Sequence, residues 1–159
     1  TVDLSALKQS LTYNESTKSL SISSGNSVTL GTTIAFKTQK LISTTAPAAA
    51  DVTFIGTSTS YNDGNGYNTT TGEFTAPISG IYTFTMSFNA DGSGGSRELK
   101  LFLNSSFYDY FAVEIASASI VPVKSITLKL VAGDVVKAVI FTGVSTQTGS
   151  GTFCGFKIN

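Results

Sequence analysis

The residues with the clearest catalytic potential in this chain are its carboxylates, because it contains 10 Asp and Glu and no His. Without His, a Ser–His or Cys–His nucleophile pair and every His-bearing metal site are excluded. A pair of carboxylates of glycosidase type is the enzymatic alternative that is left. Asp109 and Glu114 fall close together on one predicted strand, but their odd spacing places them on opposite faces. We therefore predict that the chain is not an enzyme.

A polar loop from Asn62 to Gly66 contains groups that suit a hard cation. The carboxylate of Asp63, the amide of Asn65 and nearby backbone carbonyls are ligands that calcium accepts. The loop has only one carboxylate, and Asn-Gly turns also form without metal. We predict no cofactor, with calcium as the alternative. The single Cys154 excludes an internal disulfide, so stability must come from the core or from assembly.

Aromatic rings beside Asn and Asp suit sugar binding, because the ring stacks on the sugar while the polar groups bond to its hydroxyls. Two segments have this composition. Their residues are the candidate ligand-binding set: Asn62, Asp63 and Asn65 in the polar loop, and Tyr108, Asp109 and Tyr110 in a predicted strand. The Asp91–Gly95 turn is a further candidate tip. The alternative is that all of these are ordinary surface or interface residues.

Charge and hydropathy limit the partners of the chain. Its 10 Lys and Arg balance its 10 Asp and Glu, and charged residues make up only 13% of the sequence. No basic surface is therefore expected that would hold nucleic acid. No apolar stretch is long enough to cross a bilayer. Partner choice must rest on shape, hydrogen bonds and apolar contact.

The composition predicts that the candidate ligand-binding residues are held by β-strands. Thr, Ser, Val, Ile, Phe, Tyr and 15 Gly dominate it, and these residues are typical of short strands and their turns. Short strand-like runs alternate with turns rich in Gly, Asn and Asp, which predicts an all-β fold with two antiparallel sheets packed as a sandwich. The predicted strands are Val52–Thr57, Gly72–Thr75, Ile81–Phe88, Glu98–Leu103, Phe107–Ile115, Ser125–Val131, Val135–Thr142 and Thr152–Ile158.

Alternation within these runs predicts which side chains are buried. In Ile81–Phe88 one face is Tyr82, Phe84, Met86 and Phe88, so this face is predicted to be core. In Val135–Thr142 and Thr152–Ile158, apolar residues occur on both faces. The prediction puts Cys154, Phe156 and Ile158 in the core and turns Val139, Phe141 and Phe153 toward a cover that a monomer does not offer.

Three segments carry a resemblance to a known family. They are GYNTTTGEFTAPISGIYTF from Gly66 to Phe84, LVAGDVV from Leu130 to Val136, and TFCGFKI from Thr152 to Ile158. Together they resemble the signature of the complement C1q globular-head family, which shares its fold with the tumour necrosis factor ligands. The resemblance covers roughly Ile34 to Asn159.

The resemblance implies a jelly-roll head over residues 34–159 that assembles as a homotrimer with aromatic residues along its three-fold axis. Through the match in the closing strand, Phe153 is similar to the axial aromatic. With Val139 and Phe141, it forms the predicted trimer interface. The alternative is that a long loop of the same chain covers these residues.

Residues 1–33 differ from the head and are predicted to be a stalk or trimerisation segment. A small hairpin is expected between Leu11 and Ile22, and the pattern around LSISSGNSVTL, from Leu20 to Leu30, resembles stalk repeats of bacteriophage tail and bacterial surface-fibre proteins. Leu4, Leu7 and Leu11 have the spacing of a short helical seam. A frayed terminus is the alternative for that seam.

These features together predict a trimeric recognition head at a virion surface or in the extracellular space. Its expected ligand is a host or mucosal glycan or another surface ligand, because several equal faces strengthen weak contacts by avidity. The alternatives are a purely structural cap that nucleates the trimer of a fibre, and a secreted bacterial adhesin.

Overall fold

The computed structural model describes residues 10–17, 19–23, 27–29, 33–42, 50–91, 95–115, 121–142 and 148–158. Within these ranges every regular element is a β-strand, which confirms the predicted all-β class. The chain divides into two compact units, Thr1–Thr32 and Thr33–Asn159. The role of the first unit as a stalk stays a prediction.

The first unit contains the predicted hairpin. Strands β1 (Leu11–Asn14), β2 (Ser19–Ile22) and β3 (Ser27–Thr29) form an antiparallel sheet in that order. The side-chain oxygen of Asn14 accepts bonds from the backbone N–H groups of Ser16 and Thr17, which closes the turn. Leu11 is in β1 and 65% exposed, so the helical seam does not reach it. Leu4 and Leu7 lie outside the described residues.

The second unit is a sandwich of two antiparallel sheets. One sheet has the order β11-β10-β13-β8-β7, with β5 also paired to β13, and the other has the order β12-β9-β14-β4-β6. The strands are β4 Ala35–Ile42, β5 Ala50–Thr53, β6 Ser58–Asp63, β7 Tyr67–Asn68, β8 Glu73–Thr75, β9 Gly80–Asp91, β10 Gly95–Leu103, β11 Ser106–Ile115, β12 Val123–Leu130, β13 Val135–Thr142 and β14 Thr148–Ile158.

The observed strands of the second unit include three that the sequence pattern did not predict, β4, β6 and β7. Strand β14 also begins earlier than expected, because Gly149 pairs with Ile42 of β4 and with Ala90 of β9. The Gly-rich stretch Thr148–Gly151, whose composition predicts a turn, is therefore strand instead. Two neighbouring strands satisfy the backbone there, which outweighs the turn preference of its glycines.

The core between the sheets is aromatic. The predicted inner face of β9 is confirmed, since Tyr82, Phe84, Met86 and Phe88 are all at most 2% exposed. Phe153 lies among these rings, with its centroid 5.0 Å from that of Phe36 in an edge-on contact and 6.1 Å from that of Phe84. Such contacts stabilise a core beyond the area that they bury.

The predicted faces of β14 are inverted. Phe153 is 0% exposed and belongs to the protomer's own core, whereas Phe156 and Ile158 are 51% and 45% exposed and Cys154 is half-buried on their side. The reason is Gly155, whose inward position is filled by rings from the neighbouring strands β9 and β4: an added Cβ would lie 2.5 Å from an atom of Phe84 and 2.9 Å from an atom of Phe36. Phe153 therefore does not lie at a trimer axis.

Val139 also needs no partner chain. It is 3% exposed, because β13 lies inside its sheet and pairs Val139 with Lys100 of β10 and with Thr53 of β5. The ammonium of Lys100 lies 4.4 Å from the centroid of the Phe141 ring and covers it in part. The protomer itself covers Val139, so the predicted trimer contact at Val139 is wrong, whereas that at Phe141 stays a prediction.

Candidate functional site

The polar loop between β6 and β7 is built around Asn62. Its side-chain amide donates to the backbone oxygen of Tyr67 at 2.8 Å and accepts from the backbone N–H of Tyr67 at 3.0 Å. Between them, Gly64 and Asn65 have positive φ values of 79° and 53°, which Gly and Asn tolerate better than other residues. The side chain of Asn62 thus makes the two hydrogen bonds to Tyr67 that the backbone of a paired strand residue would otherwise make.

The tip of this loop is polar and shallow. Asn62 and Asn65 line a depression of about 480 Å³ together with Tyr67 and Asn68, whereas Asp63 is exposed outside it. Tyr67 is buried, and its hydroxyl donates to the backbone oxygen of Phe54, so this side chain stabilises the fold. A ligand role for Asn62, Asp63 and Asn65 stays a prediction, but both polar atoms of Asn62 are already engaged.

The Asn62→Ala variant is expected to lower the free energy of unfolding by about 1–3 kcal/mol, because it leaves the partly buried backbone groups of Tyr67 without partners. The neighbouring Asp63→Ala variant is the matched control, with an expected change within about 0.5 kcal/mol. Urea unfolding of the two variants beside the parent checks this. Equal stability of all three proteins would contradict a structural role for Asn62.

Metal binding receives no support from side-chain clusters. In the part of the chain that the structure describes, no three His, Cys, Asp or Glu side chains come together as a metal-binding group. The predicted calcium alternative uses one carboxylate with amide and backbone oxygens, so it is not tested by this observation and stays a prediction.

Asp109 has a structural partner that the sequence did not reveal. Its carboxylate lies 2.9 Å from the ammonium of Lys124. Asp109 is on β11 and Lys124 on β12, which are end strands of the two different sheets. The bond from Lys124 lowers the pKa of the Asp109 carboxyl. The pair thus joins the two sheets at one edge, and a ligand role for Asp109 with Tyr108 and Tyr110 stays a prediction.

Tyr110 lines a different cavity, on the outer face of the six-stranded sheet. This cavity has a volume of about 390 Å³ and is lined by Glu98, Lys100, Phe102, Phe107 and Tyr110. We call it the β10 pocket. The ammonium of Lys100 lies 3.3 Å from the carboxylate of Glu98. The Phe107 ring lies 5.9 Å from that of Phe102 and 6.0 Å from that of Tyr110, measured between centroids.

Strand pairing explains why these residues meet. Along β10, Glu98, Lys100 and Phe102 alternate with leucines, two of which, Leu99 and Leu101, are buried in the core. The register with β11 sets Tyr110 beside Lys100 and Phe107 beside Phe102. In the sequence, this alternation predicts that Glu98, Lys100 and Phe102 share a face. The sequence does not predict which strand pairs with β10, so these three residues and Phe107 were not among the predicted ligand-binding residues.

The predicted site residues do not form one site. The polar loop and the β10 pocket share no lining residue. Tyr108 is 50% exposed but does not line the β10 pocket, because a bulge in β11 at this point shifts the register. The Asp91–Gly95 tip lies largely outside the described residues.

A separate apolar patch lies on the outer face of the five-stranded sheet. Ile158 of β14 pairs directly with Ile81 of β9, and Phe156 follows on the same face of β14. The three side chains are 45%, 48% and 51% exposed, respectively. Adjacent exposed apolar residues of this kind indicate an interaction surface. We call Ile81, Phe156 and Ile158 the β14 patch.

The described residues contain no helix that is long and apolar enough to span a membrane.

Comparison with known proteins identifies the fold. The C1q domain family matches residues 35–158. The globular domain of the zebrafish complement 1qA protein aligns with a TM-score of 0.65 at 22% identity, covering 79% of this chain and 98% of that chain. The PRD1 vertex protein P5 aligns with a TM-score of 0.62 at 22% identity, covering 82% and 100%.

Murine APRIL has the same fold at lower identity, with a TM-score of 0.61 and 9% identity over 79% of this chain and 99% of its own. None of the curated proteins is significantly similar to this chain. The matched structures confirm the predicted jelly-roll sandwich of the complement and tumour necrosis factor type.

Proposed function

The chain belongs to the C1q domain family, and on that premise we propose that it is the non-enzymatic recognition head of a homotrimeric virion or surface-fibre protein. The observation that carries the proposal is the β14 patch, which leaves two aliphatic side chains and one aromatic ring open to water on one sheet face. C1q-like and tumour necrosis factor-like domains usually form trimers. We assign the trimer contact to this patch.

The outer face around the patch supports this assignment. The hydroxyls of Thr83 and Thr127 are 3.0 Å apart, and those of Thr85 and Ser125 are 2.7 Å apart. The register also pairs Lys129 of β12 with Ile81 and Lys37 of β4 with Cys154, so two lysines lie on the same face as the patch. The threonine and serine hydroxyls bond to one another, so their part of the face can pack against a second copy at a small cost in desolvation.

The place of action that we propose is a virion surface or the extracellular space. A phage vertex protein and a complement globular domain share the fold at full coverage of their own chains. Three equal faces then present the same ligand site three times. Weak contacts to a glycan or surface protein gain strength in this way, since a second and third contact form at high effective concentration.

The experiment for this proposal compares the trimer with an assembly-deficient variant. Binding of both to a glycan array and to immobilised mucin is measured at equal protomer concentration. We expect the trimer to bind roughly 10²–10⁴ times more strongly than the monomeric Phe156→Asp variant. A trimer that binds neither glycans nor mucin would instead indicate a structural cap that only nucleates the fibre.

A further inference from the structure

The β10 pocket has the composition of a sugar-binding site. Phe107 and Tyr110 are 54% and 53% exposed, so their rings are accessible from solvent. The pocket is also lined by the Lys100–Glu98 ion pair, whose side chains are only 18% and 25% exposed. The pocket thus combines a partly buried charged pair with exposed aromatic rings.

These two components match the two surfaces of a pyranose. The C–H face of the sugar stacks on an aromatic ring, which supplies apolar contact at low entropic cost. Its hydroxyls bond to the carboxylate oxygens of Glu98 and to the ammonium of Lys100, because a charged partner strengthens a hydrogen bond. The pocket volume of about 390 Å³ lies near the lower end of the roughly 300–1,000 Å³ of small-molecule sites.

The charges at the pocket favour a sugar without a carboxylate. The charge of Lys100 is matched by Glu98 at 3.3 Å, and Glu98 repels an incoming anion. The ammonium of Lys137 lies 5.6 Å from the centroid of the Phe102 ring, and the register pairs Lys137 with Glu73. Each of these lysines therefore has an acidic neighbour, and the pocket offers no excess of positive charge to a uronic or sialic acid.

We propose that the β10 pocket binds a neutral pyranose unit of a surface polysaccharide. This deepens the proposed recognition function and rests on it. The pocket lies on the six-stranded sheet, whereas the β14 patch lies on the five-stranded sheet, so assembly through the patch leaves the pocket open. Each trimer presents three such pockets.

The test uses the full chain and its Tyr110→Ala variant on an array of neutral, sialylated and uronic oligosaccharides. We expect the parent to bind neutral glycans and Tyr110→Ala to lose about tenfold or more in affinity. Tyr108→Ala is the matched control, because it removes an equally exposed ring of the same strand outside the pocket. Its affinity should equal that of the parent. Trimer mass and melting temperature are checked for each variant.

A second variant tests the charge argument separately from the ring. Glu98→Gln keeps the shape of the side chain but removes the negative charge 3.3 Å from the ammonium of Lys100. We expect weaker binding of neutral sugars and new binding of carboxylated sugars, increasing as the salt concentration is lowered. Selectivity for neutral sugars that does not change in this variant would overturn the assignment of Glu98.

The outcomes separate this inference from the proposed function. Glycan binding by the parent that both tyrosine variants retain would overturn the β10 pocket while the recognition function stands. Binding of acidic sugars alone would overturn the neutral class. If the parent trimer binds no glycan, the pocket assignment fails together with the glycan-recognition role. Dimerisation that Tyr110→Ala abolishes would make the pocket a contact between copies of the chain instead.

Discussion

The Phe153→Ala variant is expected to lose about 3–5 kcal/mol in free energy of unfolding. Phe153 is 0% exposed, and its ring contacts those of Phe36, Phe54, Tyr67 and Phe84. Removing it opens a cavity between the two sheets that these rigid rings cannot fill. A loss of this size is a large part of the stability of a typical domain. Denaturant unfolding at fixed protein concentration measures it.

The control for this prediction is Phe107→Ala, which removes the same ring from an exposed position. Phe107 is 54% exposed, so its loss should cost less than about 1 kcal/mol. If Phe153→Ala instead keeps the stability of the parent and loses assembly, the residue is an axial contact and its burial in the protomer is wrong.

The Phe156→Asp variant is expected to convert a trimer into a folded monomer. A carboxylate in the centre of an apolar contact must give up its hydration without a partner, which costs several kcal/mol for each copy. In the separated protomer the same side chain faces water, so the fold is retained. Light scattering gives the mass, and circular dichroism together with the melting curve gives the fold.

Two observations control this experiment. Phe107→Asp introduces the same charge at a similarly exposed ring on the opposite sheet and should remain trimeric. A parent that is monomeric at micromolar concentration, or a Phe156→Asp variant that stays trimeric, contradicts the assembly surface at the β14 patch.

The rate at which the Cys154 thiol is labelled also reports whether the Phe156→Asp variant has lost its assembly. Cys154 is half-buried on the side of β14 that carries Phe156, and burial raises the pKa of its thiol. Because the thiolate is the reactive form, labelling near neutral pH is expected to be slow and to accelerate as the pH rises toward that pKa. The trimer should protect Cys154, and the Phe156→Asp monomer should react faster at every pH. Equal rates in the two proteins would place Cys154 outside the interface.

Much of the fold was predictable because its signals are local. The alternation of Tyr82, Phe84, Met86 and Phe88 predicted the buried face of β9, since successive side chains of a strand point to opposite sides. The turn around Gly133, which has a positive φ of 93°, was predicted from its Gly-Asp sequence. The motif resemblance supplied the order in which such strands form a jelly roll.

The site was less predictable, because it depends on which strands become neighbours. Asn62 was predicted as a ligand group, but the structure uses its amide to hold Tyr67. Asp109 was grouped with the tyrosines beside it, but it pairs with Lys124 of the other sheet. Tyr110 of that group lines the β10 pocket, and the other residues of this pocket come mainly from β10.

The sequence by itself determined the alternation of the predicted strands, several of the turns and the family of this protein, because each of these is encoded within one short segment. The tertiary structure alone decided which face of β14 is buried. Alternation separates Phe153 from Phe156 but does not say which of them points inward, and the more apolar set proved to be the outer one. The choice depends on Gly155, whose missing side chain makes room for rings from two other strands, Phe36 and Phe84. The alternation within one strand does not predict such contacts between strands that are distant in the sequence.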